Sequence, residues 1–449
     1  MRARDPGAPP VSPELVGFAL LGVFIFAIFI GFPIAFTMMF LFLAFGYFVL
    51  GDMVFYLTVL QTIGLMKEEV FAAVPLFIFM GYLLEEGGLM ERLFRAFQLL
   101  LGPVPGSLYV AVLLTATIFG IAAGTVGATV AVVGIMAVPT MVRAGYDPRL
   151  SAGSITAGGT LGILIPPSVM LVVMGPVMGV SVVELYAASF GPGFLLAGIF
   201  IAWTLIRCLI NPRLGPALPP SQRAASLRSL AVELTLGMLP HVVLTVVTLG
   251  PILAGMATPT EAAAVGVVGT IIMAAAYRKL SWAQLKNAVI LTAQQSSMMF
   301  FLAVASNIFG AVFTRLGSAT LMTETLVGLP LPPLGTMLVI MLLIFLLGWP
   351  FEWPTIVFVF VPLLQPAIMA LNFDPLWFAI LIAVNLQTAF LSPPVATAAY
   401  YLKAVAPDWK LTDIYWGMAE FMVLQVIGLL LLMVFPGIAL WFPRWLYGP

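Results

Sequence analysis

The sequence predicts an all-helical, multi-span membrane protein made of two related halves, and three observations carry that prediction. Of 449 residues, 62% are hydrophobic and only 8% charged, whereas soluble domains are about a quarter charged. Apolar runs recur along the whole chain, and at about 20 residues per crossing there is room for roughly a dozen hydrophobic segments. The third observation is a repeat. A shift of 227 lays Pro103 on Pro330, Pro105 on Pro332, Pro139 on Pro366, Asp147 on Asp374, Pro148 on Pro375, Pro166 on Pro393 and Pro167 on Pro394. Chance aligns a few prolines in so Pro-rich a chain, but Asp-Pro followed at one distance by Pro-Pro in both halves favours internal duplication.

The elements follow in order. Residues 1–14 are polar and Pro-rich. Runs 15–30 and 34–50, parted by Gly31-Phe32-Pro33, read as two spanning helices rather than a cleavable signal, since no small-residue cleavage site precedes a polar mature start. With an amphipathic, interfacial stretch at 52–69 they make an N-terminal scaffold, residues 1–70. The first repeat, 71–211, opens with a span at 71–86, a Gly87-Gly88 turn and an amphipathic piece carrying Glu91, Arg92 and Arg95. Two apolar arms then flank the Gly-rich centre Gly120-Ile-Ala-Ala-Gly124-Thr125-Val-Gly127. Each arm is short for a crossing, so 103–143 reads as a re-entrant helical hairpin. A helix over 148–180 is broken at Pro166-Pro167, where two successive residues lack a backbone donor, and 183–210 is an ordinary span.

Residues 212–287 are linker and scaffold: a Pro-rich stretch up to Arg228, a span at 229–250, and a helix opened by Thr258-Pro-Thr-Glu261, a capping box with Pro at the first helical position. The second repeat, 288–449, holds a span at 288–312, a third amphipathic stretch, a hairpin at 331–372, a helix at 375–405 broken at Pro393-Pro394, and a last span at 412–436.

Basic residues test whether the copies are inverted, because Lys and Arg accumulate on the cytoplasmic side. The loop closing the first hairpin holds Arg143 and Arg149, and the matching positions are Ala370 and Leu376. With the N-terminus outside, 13 of the 18 basic residues fall inside, leaving Arg2, Arg4, Lys67, Arg315 and Arg444. The count supports inversion; re-entrance rests on arm length and the Gly-rich tip. Inverted repeats with broken helices are the architecture of secondary transporters, whose cargo site lies near the midplane where half-helix ends point at ions.

The motifs resemble one family over nearly the whole chain, from about Gly17 to Phe442. Gly158-Gly-Thr-Leu-Gly-Ile-Leu-Ile-Pro-Pro-Ser168, Ala257-Thr-Pro-Thr-Glu-Ala-Ala-Ala-Val-Gly266 and Asn385-Leu-Gln-Thr-Ala-Phe-Leu-Ser-Pro-Pro394 are similar to blocks of the large membrane subunit of tripartite ATP-independent periplasmic (TRAP) transporters. The resemblance implies an elevator-type sodium symporter of the bacterial inner membrane, working with a small membrane subunit and a periplasmic binding protein that delivers organic acids. It also implies sodium sites between each hairpin tip and the following broken helix: Gly120, Gly124 and Thr125 with Gly159, Thr160, Pro166 and Ser168, and Gly348 and Glu352 with Thr388, Ser392 and Pro393. The sequence departs from the family at Ala123-Gly124-Thr125-Val126, where two of the usual tip hydroxyls are missing, and at Glu352, which replaces the usual Asp. Ser392-Pro393-Pro394 stands for the usual Thr-Pro-Pro and keeps the hydroxyl. Tyr400-Tyr-Leu-Lys-Ala-Val-Ala-Pro407 resembles the branch associated with 2-oxo acids and related monocarboxylates more than the dicarboxylate branch.

The residues themselves fit this chemistry. Sodium is a hard cation served by oxygen ligands, and carbonyls freed where Pro denies a helix its hydrogen bonds are such ligands without charge. A Pro-Pro pair can equally just kink a packed helix; its duplication at one offset is what favours ion sites. Thr125, Thr160, Ser168, Thr388 and Ser392 are candidate hydroxyl ligands, although each alone could bond its own helix backbone. Glu352 is a functional candidate if its tip lies at membrane depth and a solvated cap if it reaches the headgroups. Glu261 is explained by its capping box, and His241 reads as a helix-end residue. No basic residue falls within 150–206 or 316–402, so an anionic cargo would be held by helix N-termini, backbone amides and hydroxyls. Asn385 and Gln387, with Thr160 and Ser168, are the expected cargo contacts.

Other classes fit poorly. No phosphate-binding Gly-Lys-Ser/Thr loop is present for an ATP-driven pump. One histidine and few acids within spans argue against an intramembrane enzyme. A lone Cys208 excludes an internal disulfide, and the balanced charge gives no hint of nucleic acid. No cofactor is expected beyond coupling sodium ions. The alternative is a stand-alone elevator-type sodium/carboxylate symporter without a binding protein.

Overall fold

A computed structural model of the chain describes residues 12–86, 90–123, 125–219, 223, 226–393 and 396–448. Among them all regular structure is helical. In chain order the helices are α1 (Pro13–Ile30), α2 (Ile34–Leu50), α3 (Met53–Met66), α4 (Ala73–Glu86), α5 (Met90–Leu101), α6 (Ser107–Ala123) and α7 (Val126–Arg143). Next come α8 (Pro148–Leu161), α9 (Val169–Met178), α10 (Val182–Ile210), α11 (Leu227–Leu253), α12 (Pro259–Ala276), α13 (Trp282–Arg315) and α14 (Ser318–Val327). The chain ends with α15 (Pro333–Leu347), α16 (Trp353–Ala370), α17 (Pro375–Leu391), α18 (Thr397–Val405), α19 (Leu411–Val434) and α20 (Gly437–Tyr447). Seven of the described helices, α7, α10, α11, α12, α13, α16 and α19, are long and apolar enough to cross a membrane.

The duplication reappears in element boundaries. Adding 227 to the ends of α7 returns those of α16, and adding it to those of α9 returns 396–405, which holds α18. The pairs α6 and α15, α8 and α17, and α10 and α19 correspond in the same way. Where prediction and structure differ, local capping is the reason. α13 begins at Trp282 rather than near 288, because Ser281 and Gln284 cap each other's backbone amides at 3.1 and 3.2 Å. A further helix, α20, follows the last span, with Pro436 in its N-cap position. The Gly87-Gly88 turn lies outside the described residues.

The chain divides into two compact units. The first comprises 1–68, 297–340 and 350–374. Its interior is aromatic: Phe42 stacks on Phe309 at 4.2 Å, Phe309 packs on Phe313 at 5.2 Å, and Phe24 stacks on Phe351 at 5.8 Å. Gly317, in the left-handed region at φ 77°, lets α13 end and α14 begin without a linker. At the start of α16, residues 356–360 form a π-helical stretch, and Ser306 Oγ donates to the Phe358 carbonyl.

The second unit comprises 69–296, 341–349 and 375–449. At its centre lies α8, buried at every position from Leu150 to Leu161. It is built mostly from Ser, Thr, Gly and Ala, small residues that let neighbouring backbones approach, which is how helices associate where no hydrophobic gain is available. Its N-cap, Asp147, accepts from the Leu150 amide at 2.9 Å. Helix α19 crosses it backbone to backbone: a Cβ on Gly417 would lie 1.9 Å from the Arg149 carbonyl oxygen. Arg149 pairs with Asp413 at 2.9 Å beside that crossing, and Arg207 on α10 pairs with Glu420 at 2.7 Å.

Candidate functional site

In the second unit each helix break sits against a hairpin arm. A Cβ on Gly120, near the end of α6, would lie 2.4 Å from Cα of Gly162, the residue that follows α8. A Cβ on Gly348, just past α15, would lie 2.8 Å from Cβ of Ala389 on α17, and Ala389 is the repeat twin of Gly162. Gly159 is pressed against Val130 of α7 with an equivalent spacing of 2.4 Å. Both broken helices are thus held where their regular hydrogen bonding stops.

Thr160 stands one turn before the first break. Its hydroxyl proton is shared between two acceptors, the Ala157 carbonyl at 2.8 Å and Gln387 Oε1 on α17 at 3.2 Å. Thr160 and Gln387 are separated by the repeat offset, so they are twins. A residue touches its own twin only near the axis that relates two copies, which places both on the symmetry element of the duplication. A third residue, Gln425 on α19, donates from Nε2 to Thr160 Oγ at 2.9 Å. Sequence reasoning missed it, having drawn its polar candidates from the hairpin tips and the broken helices; the available signal was an amide in the middle of an otherwise apolar span.

The break between α8 and α9 contains a cis Pro166-Pro167 peptide. Ser168 N-caps α9: its hydroxyl donates to the Ile163 carbonyl and accepts from the Leu171 amide. It therefore ties the two half-helices together across the break. Thr125, half-buried, takes the N-cap position of α7 without a side-chain cap, and its carbonyl accepts from Thr129 Oγ at 2.8 Å. Gly124 lies outside the described residues.

At the second break, Asn385 Nδ2 donates to the Met341 carbonyl of α15 at 2.7 Å, so its amide fastens the hairpin arm to the broken helix instead of standing free. Thr388 returns its hydroxyl to the Asn385 carbonyl at 2.6 Å. Ser392 is buried with its Oγ unpartnered, and Pro393 beside it is exposed. Glu352 belongs to the first unit, where it takes the N-cap position of α16 with an exposed side chain, next to buried Phe351.

The structure therefore brings together Thr160 with Gln387, and Gly120 and Gly348 with the ends of α8 and α17. It puts Glu352 in a different unit from Thr388, Ser392 and Pro393. Thr160, Ser168, Asn385, Gln387, Thr388, Ser392 and Gln425 are each at most 2% exposed, so each is closed off from solvent. Among the described residues no three His, Cys, Asp or Glu side chains gather as metal ligands. A cation here would be held by hydroxyl, amide and carbonyl oxygens.

Comparison with known proteins agrees with this architecture. Residues 21–438 match the family model of the DctM component of the tripartite ATP-independent periplasmic transporter. The C4-dicarboxylate TRAP transporter large permease protein DctM of Pseudomonas aeruginosa is 30% identical over 375 residues, covering 83% of this chain and 86% of that protein. The 2,3-diketo-L-gulonate TRAP transporter large permease protein YiaN of Escherichia coli is 27% identical, with 81% and 84% covered. Among solved structures, the YdaH transporter of Alcanivorax borkumensis shares the fold at a TM-score of 0.62 and 17% identity, over 88% of this chain and 90% of that one. The two TRAP permeases are named for different acids and single out no branch. The chain belongs to the large-permease, DctM-component family of TRAP transporters, a multi-pass membrane permease subunit and not an enzyme.

Proposed function

We propose that this subunit imports a small organic acid together with sodium, receiving the acid from a periplasmic binding protein and working beside a small membrane subunit. The observation that carries the sodium reading is the pair of neutral oxygens, Thr160 Oγ and Gln387 Oε1, held 3.2 Å apart in a buried site at the junction of the two repeats. Freed carbonyls at the two breaks supply further oxygens. The cargo reading rests on charge. No Lys or Arg lies within 150–206 or 316–402, so a carboxylate would rely on bound sodium and on the N-terminal ends of half-helices such as α9 and α18. Candidate cargo includes 2-oxo acids, lactate-like acids and dicarboxylates.

In this account the repeats are inverted, the N-terminus faces outward and the hairpins re-enter. The hairpins with the broken helices carry cargo across in an elevator motion past the remaining helices. Sodium binding near Thr160, Ser168, Thr388 and Ser392 organises the cargo site, so inward movement couples to the sodium gradient.

The reading is tested by uptake of labelled pyruvate, lactate and succinate into proteoliposomes holding the chain and its small subunit, with and without a sodium gradient and binding protein. Uptake needing both additions supports it. Sodium-driven uptake without the binding protein would make the chain a stand-alone sodium/carboxylate symporter.

A further inference from the structure

Gln425 lies at the middle of α19, far along the second repeat and beyond its broken helix, yet it is fully buried and donates to Thr160. The two helices bring it there by their close crossing. Gly153 and Gly417 let α8 and α19 touch through their backbones, and two turns further along each helix, on the same faces, stand Thr160 and Gln425.

A threonine hydroxyl has one proton and two lone pairs. The Thr160 proton has two acceptors in reach, and the Ala157 carbonyl at 2.8 Å is nearer than Gln387 Oε1 at 3.2 Å. One lone pair takes the Gln425 amide proton at 2.9 Å. With proton and first lone pair engaged, the second lone pair has a single direction left. When the proton rests on Ala157, Thr160 Oγ and Gln387 Oε1 are two acceptor oxygens facing each other with no hydrogen between them. Such a pair repels unless a cation joins it, and hard cations such as calcium take oxygens at about 2.3–2.6 Å, a spacing compatible with this pair.

The cluster is poorly explained as a device for stability. Gln387 Nε2 and Gln425 Oε1 are buried without a partner, and a half-satisfied buried polar network is worse for stability than an apolar core. We infer that Gln425 is a positioning residue for sodium: acting through Thr160, it aims the Thr160 oxygen at Gln387 so that one residue from each repeat faces the same ion. This rests on the sodium reading above.

The test uses the full chain purified in detergent, with thermal unfolding followed against sodium chloride at constant ionic strength maintained with choline chloride. The wild-type chain should gain stability with sodium. Gln425→Met, which keeps size and removes the donor, should raise the sodium concentration for half the effect by about tenfold, the scale seen when a partner behind a metal ligand is removed. Unfolding in choline chloride alone should change little. Thr160→Val should weaken the sodium response, and the double variant should be no weaker than Thr160→Val, because Gln425 acts only through that hydroxyl. Gln425→Asn, which withdraws the amide while staying polar, should shift the response in the same direction and serves if the Met variant does not fold. A normal sodium response in the Gln425 variants, or additive losses in the double variant, would overturn the role of Gln425 and leave the sodium reading standing. No sodium response in the wild-type chain would overturn both.

Discussion

At the scale of single residues, glycine and hydroxyl positions divide the work. Gly162 has no room for a methyl group: its Cβ would meet Gly120 Cα at 2.4 Å and the Gly120 carbonyl oxygen at 2.9 Å, and backbone cannot step aside as a side chain can. Gly162→Ala should therefore destabilise the chain by about 1–3 kcal/mol, the usual cost of overpacking, seen as a lower unfolding midpoint. Ala389, its twin, already carries the methyl group, so the second break is built to a wider spacing. Thr160→Val and Ser392→Ala should each raise the sodium concentration for half-maximal uptake without changing the amount of protein in the membrane; unchanged sodium dependence in both would remove these two oxygens from the ion site. The hydroxyls were legible in the sequence by type and position. Their partners were not, because a pattern along one chain says nothing about which helix faces it, and Gln425 comes from the far end of the second repeat. Asn385 shows the same limit: a polar residue near a break reads as a cargo contact, while its amide is committed to Met341.

At the scale of elements, the helices followed periodicity and capping closely. Proline pairs marked both breaks: α17 ends at Leu391, just before Ser392-Pro393, where the residue before proline leaves the helical region, while α8 already ends at Leu161, with 162–165 between it and its pair. Asp147 N-caps α8, and Asp147→Ala should cost about 1 kcal/mol of stability, read as a shift in the unfolding midpoint with sodium affinity little altered, since the cap lies more than three turns from Thr160. The arms carried the weaker signal. α7 and α16 each reach 18 residues and pass as crossing-length helices, while α15 has 15, so composition leaves arm length near the threshold where depth is set by neighbours rather than by hydropathy. The π-helical turn in α16 had no mark in the sequence; within it the Phe358 carbonyl accepts from Ser306 of another helix, a partner that no pattern along one segment discloses.

At the scale of the whole molecule, duplication is the organising fact. Repeated Asp-Pro and Pro-Pro pairs disclosed it, and the contact between Thr160 and Gln387 gives it a physical meaning, since the twins meet where the copies join. Membrane placement and helical class were fixed by composition, with 8% charged residues leaving no alternative. The cargo was not legible, because recognition by helix ends and neutral amides leaves no charged residue to read. The most direct test of the central claim is acid uptake by the chain with its small subunit in proteoliposomes, comparing an inward sodium gradient with an equal potassium gradient in the presence of the binding protein. The account predicts uptake only with sodium, and a sodium dependence that weakens in Thr160→Val. Equal uptake in potassium, or an unaltered sodium dependence in that variant, would contradict it.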